Sequence, residues 1–143
     1  MHRVNRIGLT VIGLALSLGT GEVQADVVAV VSSKSPISTL SKNQVADIFL
    51  GKAARFPDGS QAVPIDQAEA SVIREEFYTK FTGKSPTQMK AHWSKIIFTG
   101  RGKPPKAVSN SIEAKKLIAA NPQAIGYIER NSVDGSVKVL VQQ

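Results

Sequence analysis

Residues 26–32 read DVVAVVS, in which four valines and one alanine stand between Asp26 and Ser32. A strand with one face in water alternates apolar and polar residues, whereas a strand covered on both faces is a continuous apolar run. This segment therefore predicts a central strand with layers packed on both of its sides. Immediately after it, the serines and the proline of residues 32–36 predict a turn.

Further along the chain, four helices are predicted from their start signals. Ser41 with Gln44, and Ser85 with Gln88, each have the spacing of a capping box, in which two side chains satisfy the first free amides of a helix. Two more helices are predicted to begin near Ser71 and Asn110. Glycine or an Asn-Pro pair is expected to end these helices, at Gly51, Gly83, Gly100 and Asn121.

Three more strands are predicted, at residues 62–66 (AVPID), 124–129 (AIGYIE) and 137–141. Pro64 would place the first of them at a sheet edge or at a strand end, because proline cannot donate to a neighbouring strand. The predicted order is β-α-β-α-α-α-β-β. Helices between strands favour an α/β fold with a mixed sheet flanked by helices, and nothing divides residues 26–143 into two domains.

Residues 1–25 have the pattern of a secretory signal peptide. Arg3 and Arg6 precede an apolar run at residues 7–18, which is shorter than the roughly 20 residues that span a bilayer. Val23 and Ala25 suit a cleavage site, so cleavage after Ala25 is predicted. Because the sequence has no cysteine, a lipid anchor on the first mature residue is excluded, and a soluble periplasmic protein is predicted.

Composition narrows the possible chemistry. With no cysteine and two histidines, His2 and His92, a disulfide framework, a cysteine nucleophile and a metal site are not expected. The formal net charge of +7 suits anionic partners, but the basic residues are spread along the chain, so nucleic acid is not expected as a partner. The motifs of serine hydrolases and of phosphate-loop nucleotide enzymes are absent from the sequence.

Several segments resemble the substrate-binding proteins of phosphate ABC transporters and follow in that family's order. They are residues 48–52 (IFLGK), 57–59 (PDG), 64–66 (PID), Phe77, Trp93, 98–102 (FTGRG), 104–105 (PP) and 124–128 (AIGYI). The resemblance implies a domain like one lobe of a type II periplasmic binding protein, with no enzymatic activity and no cofactor. Full-length members have two lobes with the ligand between them, so the chain resembles a shortened, single-domain member.

The resemblance also implies a ligand, phosphate or a similar small oxyanion, and an inner-membrane transporter or sensor as partner. Because one lobe cannot enclose a small anion, a homodimer or a membrane partner is expected to complete the cleft. The chain departs from the family at residues 66–74, DQAEASVIR, where the family has an arginine and a glycine-rich loop. Asp66 and Glu69 would repel an anion if they faced the same pocket, and Asp66→Asn would then strengthen binding.

The candidate ligand residues lie at turns and helix starts, where unpaired amides and hydroxyls can bind oxyanions. Ser71 and Arg74 are expected to matter most, because arginine offers a fork of donors. The alternative is that Ser71 only caps a helix and Arg74 pairs with Asp66, Glu75 or Glu76. The serine-rich turn adds four candidate ligand residues, Ser32, Ser33, Ser38 and Thr39. The alternative is that their hydroxyls only bond to the local backbone of a turn.

Secondary candidates are Arg101 and Lys103, in a loop whose glycines could form an anion-binding nest, and Ser109, before the fourth helix. A solvated loop and a plain helix cap are the alternatives. Trp93, Tyr127, Phe49 and Phe77 are predicted to be core residues. The function predicted is periplasmic binding of phosphate or a similar oxyanion for ABC-type uptake. The alternative is an envelope interaction or sensory module that keeps the fold without the phosphate loop.

Overall fold

A computed structural model gives the structure of residues 26–140 and of Gly13, so the predicted signal peptide, apart from Gly13, lies outside the described residues. Strands and helices alternate along most of the described chain. In order, they are β1 Val27–Ser32, α1 Lys42–Phe49, β2 Val63–Gln67, α2 Val72–Thr82, α3 Pro86–Phe98, β3 Lys106–Val108, α4 Ser111–Ala120, β4 Ala124–Glu129 and β5 Val137–Val139, with a 3-10 turn at Arg130–Ser132 before β5.

The strands form one mixed sheet in the order β3-β2-β4-β1-β5. β2 runs parallel to β3 and β4, whereas β1 runs antiparallel to β4 and β5. Every residue of β1 is buried, as its continuous apolar run predicted. The predicted α/β fold with a mixed sheet flanked by helices is confirmed.

Because β1 is antiparallel to β4, the strands do not all finish at the same end of the sheet. β2, β3 and β4 finish at one end, termed the β2 end, and β1 finishes at the opposite end, termed the β1 end. α4 joins the two: Gln67 donates to the Ser111 hydroxyl at its start, at 3.3 Å, and Ser32 donates to the Ala119 carbonyl near its finish, at 3.2 Å. At 1.5 Å per helical residue, these contacts lie about 12 Å apart along α4.

Local sequence signals explain where the helices begin and end. Ser41 and Ser85 make complete capping boxes, and Ser71 and Asn110 cap α2 and α4 through their side chains. Gly51, Gly83 and Gly100 follow α1, α2 and α3 with positive φ, a backbone conformation that glycine adopts without steric cost. The predicted helices are therefore confirmed.

The strands differ from prediction in two places. β3 was missed, because it has only three residues, follows two prolines and is mostly exposed. β2 is an interior strand with β3 and β4 on its two sides. Pro64 pairs only with Ile125 of β4, and β3 begins opposite Ile65, so the proline stands beyond the reach of β3. The strand-end position was the right one of the two alternatives.

Two apolar clusters cover the faces of the sheet. One holds the predicted core aromatics, with the rings of Phe77 and Tyr127 stacked at 4.0 Å between centroids. The other lies under α4, where a Cβ on Gly126 would sit 2.4 Å from Ile118 Cδ1, so any larger residue there would force the Ile118 side chain to move. Within residues 26–140, no helix is long and apolar enough to cross a membrane.

Candidate functional site

Asp66, near the finish of β2, is a buried carboxylate with several donors around it. The residue is 4% exposed. Its Oδ2 accepts from the Tyr78 hydroxyl at 2.6 Å, and its Oδ1 accepts from the Tyr127 hydroxyl and, at 2.8 Å, from the amide of Gln67. A buried charge is tolerated when donors surround it, so these groups together hold an ionised carboxylate inside the fold.

The two tyrosines are fixed as donors. Burial raises the pKa of the Tyr78 hydroxyl far above its ordinary value, and the neighbouring Asp66 charge raises it further. The same two causes, in the same order, raise the pKa of Tyr127. Both hydroxyls therefore keep their protons across the physiological range and continue to donate to Asp66.

Arg74, in the first turn of α2, is oriented by this cluster. Its Nε lies 3.5 Å from Asp66 Oδ1, and its guanidinium carbon lies 4.9 Å from the centre of the Tyr78 ring. Among residues 26–140, its two terminal nitrogens form no hydrogen bond. A guanidinium has five N–H donors, so four of them remain available for a ligand.

Arg74 lines a small cavity of about 180 Å³ between the starts of α2 and α3, together with Glu69, Pro86, Thr87 and Lys90. First-turn amides lack partners within their own helix. Pro86 has no amide hydrogen, and Ser85 accepts from the amide of Gln88 at 3.2 Å, which leaves the amide and hydroxyl of Thr87 as donors at the cavity. The cavity thus combines two cations, these neutral donors and one opposing carboxylate, Glu69.

Ser71 is near this cavity but is already hydrogen-bonded. Its hydroxyl accepts from the amide of Arg74 at 3.3 Å and donates to Gln67 Oε1 at 3.4 Å. Ser71 caps α2 and Arg74 pairs with Asp66, as the alternative to a ligand role predicted. These contacts leave the terminal nitrogens of Arg74 unbonded, so a ligand role for Arg74 stays a prediction. Asp66 is not among the residues that line the cavity, whereas Glu69 is.

The structure does not bring the serine-rich turn together with Arg74. Ser32, Ser33, Ser38 and Thr39 lie at or beyond the finish of β1, at the β1 end of the sheet. The Ser32 hydroxyl is held by Ala119, and Ser38 accepts from the ammonium of Lys138 at 3.2 Å. The hydroxyls of Ser32 and Ser38 are therefore bonded within the fold, and the turn lies at the opposite end of the sheet from Arg74.

The secondary candidates are divided between two places. Ser109 is exposed at the β2 end, where β3 finishes and α4 begins. Arg101 and Lys103 are exposed in the loop after α3, and Arg101 lines a separate groove against α1. Neither of the two basic residues lines the cavity beside Arg74.

Sequence reasoning missed four residues of the site, namely Tyr78, Tyr127, Thr87 and Lys90. The helix start at residues 85–88 was the strongest signal available for Thr87 and Lys90, but by itself it predicted only the position of α3. Nothing local links Tyr127 to Asp66, which lie 61 residues apart in sequence. In the described part of the chain, no group of three or more metal-ligating side chains is close enough together to hold a metal ion.

Solved structures share this architecture. A Clostridium perfringens protein assigned to phosphate ABC transport as its substrate-binding component, solved with bound phosphate, aligns with a TM-score of 0.65 and 21% identity over 80% of this chain and 44% of its own. A Vibrio cholerae ABC-type phosphate transport receptor aligns with a TM-score of 0.62 and 21% identity over 80% and 45%. PstS from Borrelia burgdorferi aligns with a TM-score of 0.56 and 14% identity over 82% of this chain and 47% of its own.

The fold is that of one lobe of such binding proteins. The chain spans less than half the length of the structures it matches. No protein-family model matches the sequence, and no curated protein matches it. The first two of these proteins are a substrate-binding protein and a transport receptor, which agrees with the prediction that the chain is not an enzyme.

Proposed function

We propose that the protein is a periplasmic solute-binding protein for phosphate or a similar small oxyanion, linked to ABC-type uptake, and that Arg74 is its main ligand residue. The observation that carries the proposal is the orientation of this guanidinium. Asp66 holds its Nε and Tyr78 supports its flat face, while its terminal nitrogens are free at the cavity. An arginine oriented before binding loses less side-chain freedom when it clamps an oxyanion.

The remaining cavity residues set the strength of binding. Lys90 adds a second positive charge, and Thr87 adds neutral donors from the start of α3. Glu69 opposes an anion, because its carboxylate lines the same cavity. Glu69→Gln is therefore expected to strengthen phosphate binding, and the neutral variant is the same size.

A partner surface is the second part of the proposal. The cavity beside Arg74 opens to the surface of the described residues. Val72 and Ile112, at the starts of α2 and α4, are 65% and 60% exposed at the β2 end. A homodimer, or an inner-membrane transporter or sensor, would cover these apolar side chains and close the cavity.

Export to the periplasm by the signal peptide at residues 1–25 completes the proposal. Expression in a Gram-negative host should give a protein that lacks these residues and is released by osmotic shock. Mass spectrometry of the released and membrane fractions reads the result directly. A membrane-bound product that still begins at Met1 would contradict this localisation.

One observation favours the second candidate function, an envelope interaction or sensory module without transport. Asp66 and Glu69 stand beside Arg74 and Lys90, so two carboxylates offset the two cations near the cavity. A site with so little net positive charge would bind a dianion weakly. In that case the exposed residues of the β2 end would serve protein docking, and the cavity would have no solute.

Isothermal titration calorimetry separates the two functions. Phosphate and sulfate are titrated into the purified protein and into Arg74→Gln. Hydrogen bonds to charged groups contribute roughly 1.5–3 kcal/mol, so the variant should bind about tenfold to a hundredfold more weakly. Arg55→Gln, which removes the same charge at an exposed turn, is the matched control. Absence of heat with millimolar phosphate would favour the docking module instead.

A further inference from the structure

A second groove, of about 450 Å³, lies between the end of α1 and the last turns of α3. It is separate from the cavity beside Arg74, with which it shares no lining residue. Its volume falls within the range of roughly 300–1,000 Å³ that is usual for small-molecule sites. The charged groups around it are Lys52, Lys95 and Arg101, and no carboxylate lines it.

The three cations at this groove have no ion-pair partner among residues 26–140. The ion pairs of that part of the chain involve Arg74, Lys115, Lys116 and Arg130 instead. Three unpaired cations around one concave surface raise its electrostatic potential and attract anions. The charges of the groove are therefore available to a ligand.

Several hydrogen-bond acceptors at the groove, in contrast, are already used. His92 Nε2 donates to the carbonyl of Leu50 at 2.8 Å, at the end of α1. The Thr99 hydroxyl lies 3.0 Å from the Lys95 carbonyl and 3.2 Å from the Ile96 carbonyl, and the amide of Arg101 donates to Ile96 at 3.1 Å. The helix ends would otherwise repel an anion, and these bonds reduce that effect.

Part of the groove's wall is apolar. Leu50, Gly51 and Ile96 contribute surface between the charged side chains. Gly51 has a φ of +75°, and a Cβ there would lie 2.9 Å from Trp93 Cη2, so the indole ring lies directly behind the glycine. A ligand lying on Gly51 would be close to the ring of Trp93.

We propose that this groove binds a small organic anion, with a phosphate or carboxylate head carried on a short apolar body. Lys52, Lys95 and Arg101 would bind the head, and the surface around Leu50, Gly51 and Ile96 would contact the body. Such a ligand matches a site with free donors, several used acceptors and a partly apolar wall. The site does not depend on phosphate binding at Arg74.

Fluorescence titration tests this site, because Trp93 is the only tryptophan of the sequence. The probes are hexyl phosphate, inorganic phosphate and hexanol, none of which absorbs with tryptophan. Hexyl phosphate is expected to change the emission of Trp93 with saturation and to bind at least tenfold more tightly than either other probe. Equal binding of hexanol or of inorganic phosphate would overturn the proposal.

Variants locate the binding. Lys95→Gln/Arg101→Gln should weaken hexyl phosphate binding at least tenfold. Lys34→Gln/Lys42→Gln, which removes the same charge from exposed positions outside the groove, should leave it within about twofold. Arg74→Gln should also leave it unchanged, which separates this site from the proposed phosphate site. Equal loss in both double variants would show a net-charge effect and would overturn the proposal.

The same head and body occur in free amphiphiles and in membrane lipids. Pelleting of the protein with phosphatidylglycerol vesicles, lost in Lys95→Gln/Arg101→Gln, would support the site and identify its ligand as a lipid. A protein that binds hexyl phosphate but stays in the supernatant would support the site for a free solute.

Discussion

Both ends of the sheet contain side chains that could bind an anion. They differ in whether the hydrogen-bonding groups of those side chains are already used within the fold. At the β1 end, the hydroxyls of Ser32 and Ser38 are bonded within the fold, to Ala119 and Lys138. At the β2 end, a buried carboxylate holds Arg74 by one nitrogen and leaves its terminal nitrogens free at a cavity. A suitable residue type is therefore not enough to make an anion-binding site, because the residue must also have hydrogen-bond donors that no group of the fold accepts.

Asp66→Asn should reduce stability more than any other single substitution at the two ends of the sheet. The asparagine removes the charge that faces Arg74. Its amide nitrogen also replaces a carboxylate oxygen that accepts a hydrogen bond from a tyrosine hydroxyl. Breaking a buried ion pair by removing one partner costs about 3–5 kcal/mol, so we expect a loss of about 3 kcal/mol in the free energy of unfolding. Urea denaturation measures the loss.

Phosphate affinity of Asp66→Asn should also fall, because Arg74 loses its orientation. The sequence alone suggested stronger binding, on the condition that Asp66 faces the pocket. A folded Asp66→Asn protein with unchanged stability and stronger phosphate binding would contradict this difference between the two ends. It would show that Asp66 repels the ligand rather than positioning Arg74.

Alkaline pH should lower the free energy of unfolding, because two tyrosines donate to Asp66 at the β2 end. Tyr78 and Tyr127 have raised pKa values in the fold, so above pH 10 the unfolded chain loses protons that the folded chain keeps. Stability should therefore be complete below pH 10 and fall above it, by roughly 1.4 kcal/mol per pH unit for each tyrosine.

Tyr127→Phe provides the internal control for this pH dependence. The variant should be less stable at pH 7, because Asp66 loses a donor, and its stability should fall about half as steeply above pH 10. Urea midpoints measured from pH 8 to 11.5 give both quantities. The same slope in the variant and in the original protein would show that the alkaline loss arises elsewhere.

Ser32→Ala tests the β1 end. The serine is fully buried and its hydroxyl contacts the Ala119 carbonyl, so we expect a loss of about 1–2 kcal/mol for the acceptor that is left unpaired. Calorimetric phosphate binding should stay within twofold of the original protein. Weaker phosphate binding without any loss of stability would make Ser32 a ligand residue again.

Protonation of Asp134 in acid should have the smallest effect on stability of the changes considered. Hydrogen bonds from Ser136 and from Lys115 lower the pKa of Asp134 to about 2. Their contribution to stability is present above pH 4 and is lost as the pH falls towards 2. Asp134 is exposed, so Asp134→Asn should remove only a small part of the acid dependence, measured by thermal denaturation between pH 2 and 5.

Local signals explain why much of the fold could be predicted. The caps at Ser41, Ser71, Ser85 and Asn110 act within one helical turn, and the apolar run of β1 reports burial directly. β3 has no such signal, because it is held by its pairing with β2 rather than by its own side chains. Short exposed strands of this kind depend on their neighbours.

The site was less accessible to sequence reasoning, because its geometry depends on strand direction. Arg74 and Glu69 were found from residue type and position after β2. The direction of β1, which moves Ser38 to the other end of the sheet, follows from its pairing with β4 almost a hundred residues later. The contact between Tyr127 and Asp66 is likewise a product of the parallel pairing of β2 with β4.

The position of the anion site is tested most directly by two-dimensional amide NMR of the labelled protein during a phosphate titration. The account predicts that the largest shifts fall on residues 69–74 and 87–90, together with the Nε signal of Arg74. Residues 32–39 should not move. Shifts concentrated on residues 32–39 or 100–103, with Arg74 unchanged, would contradict a site at the β2 end.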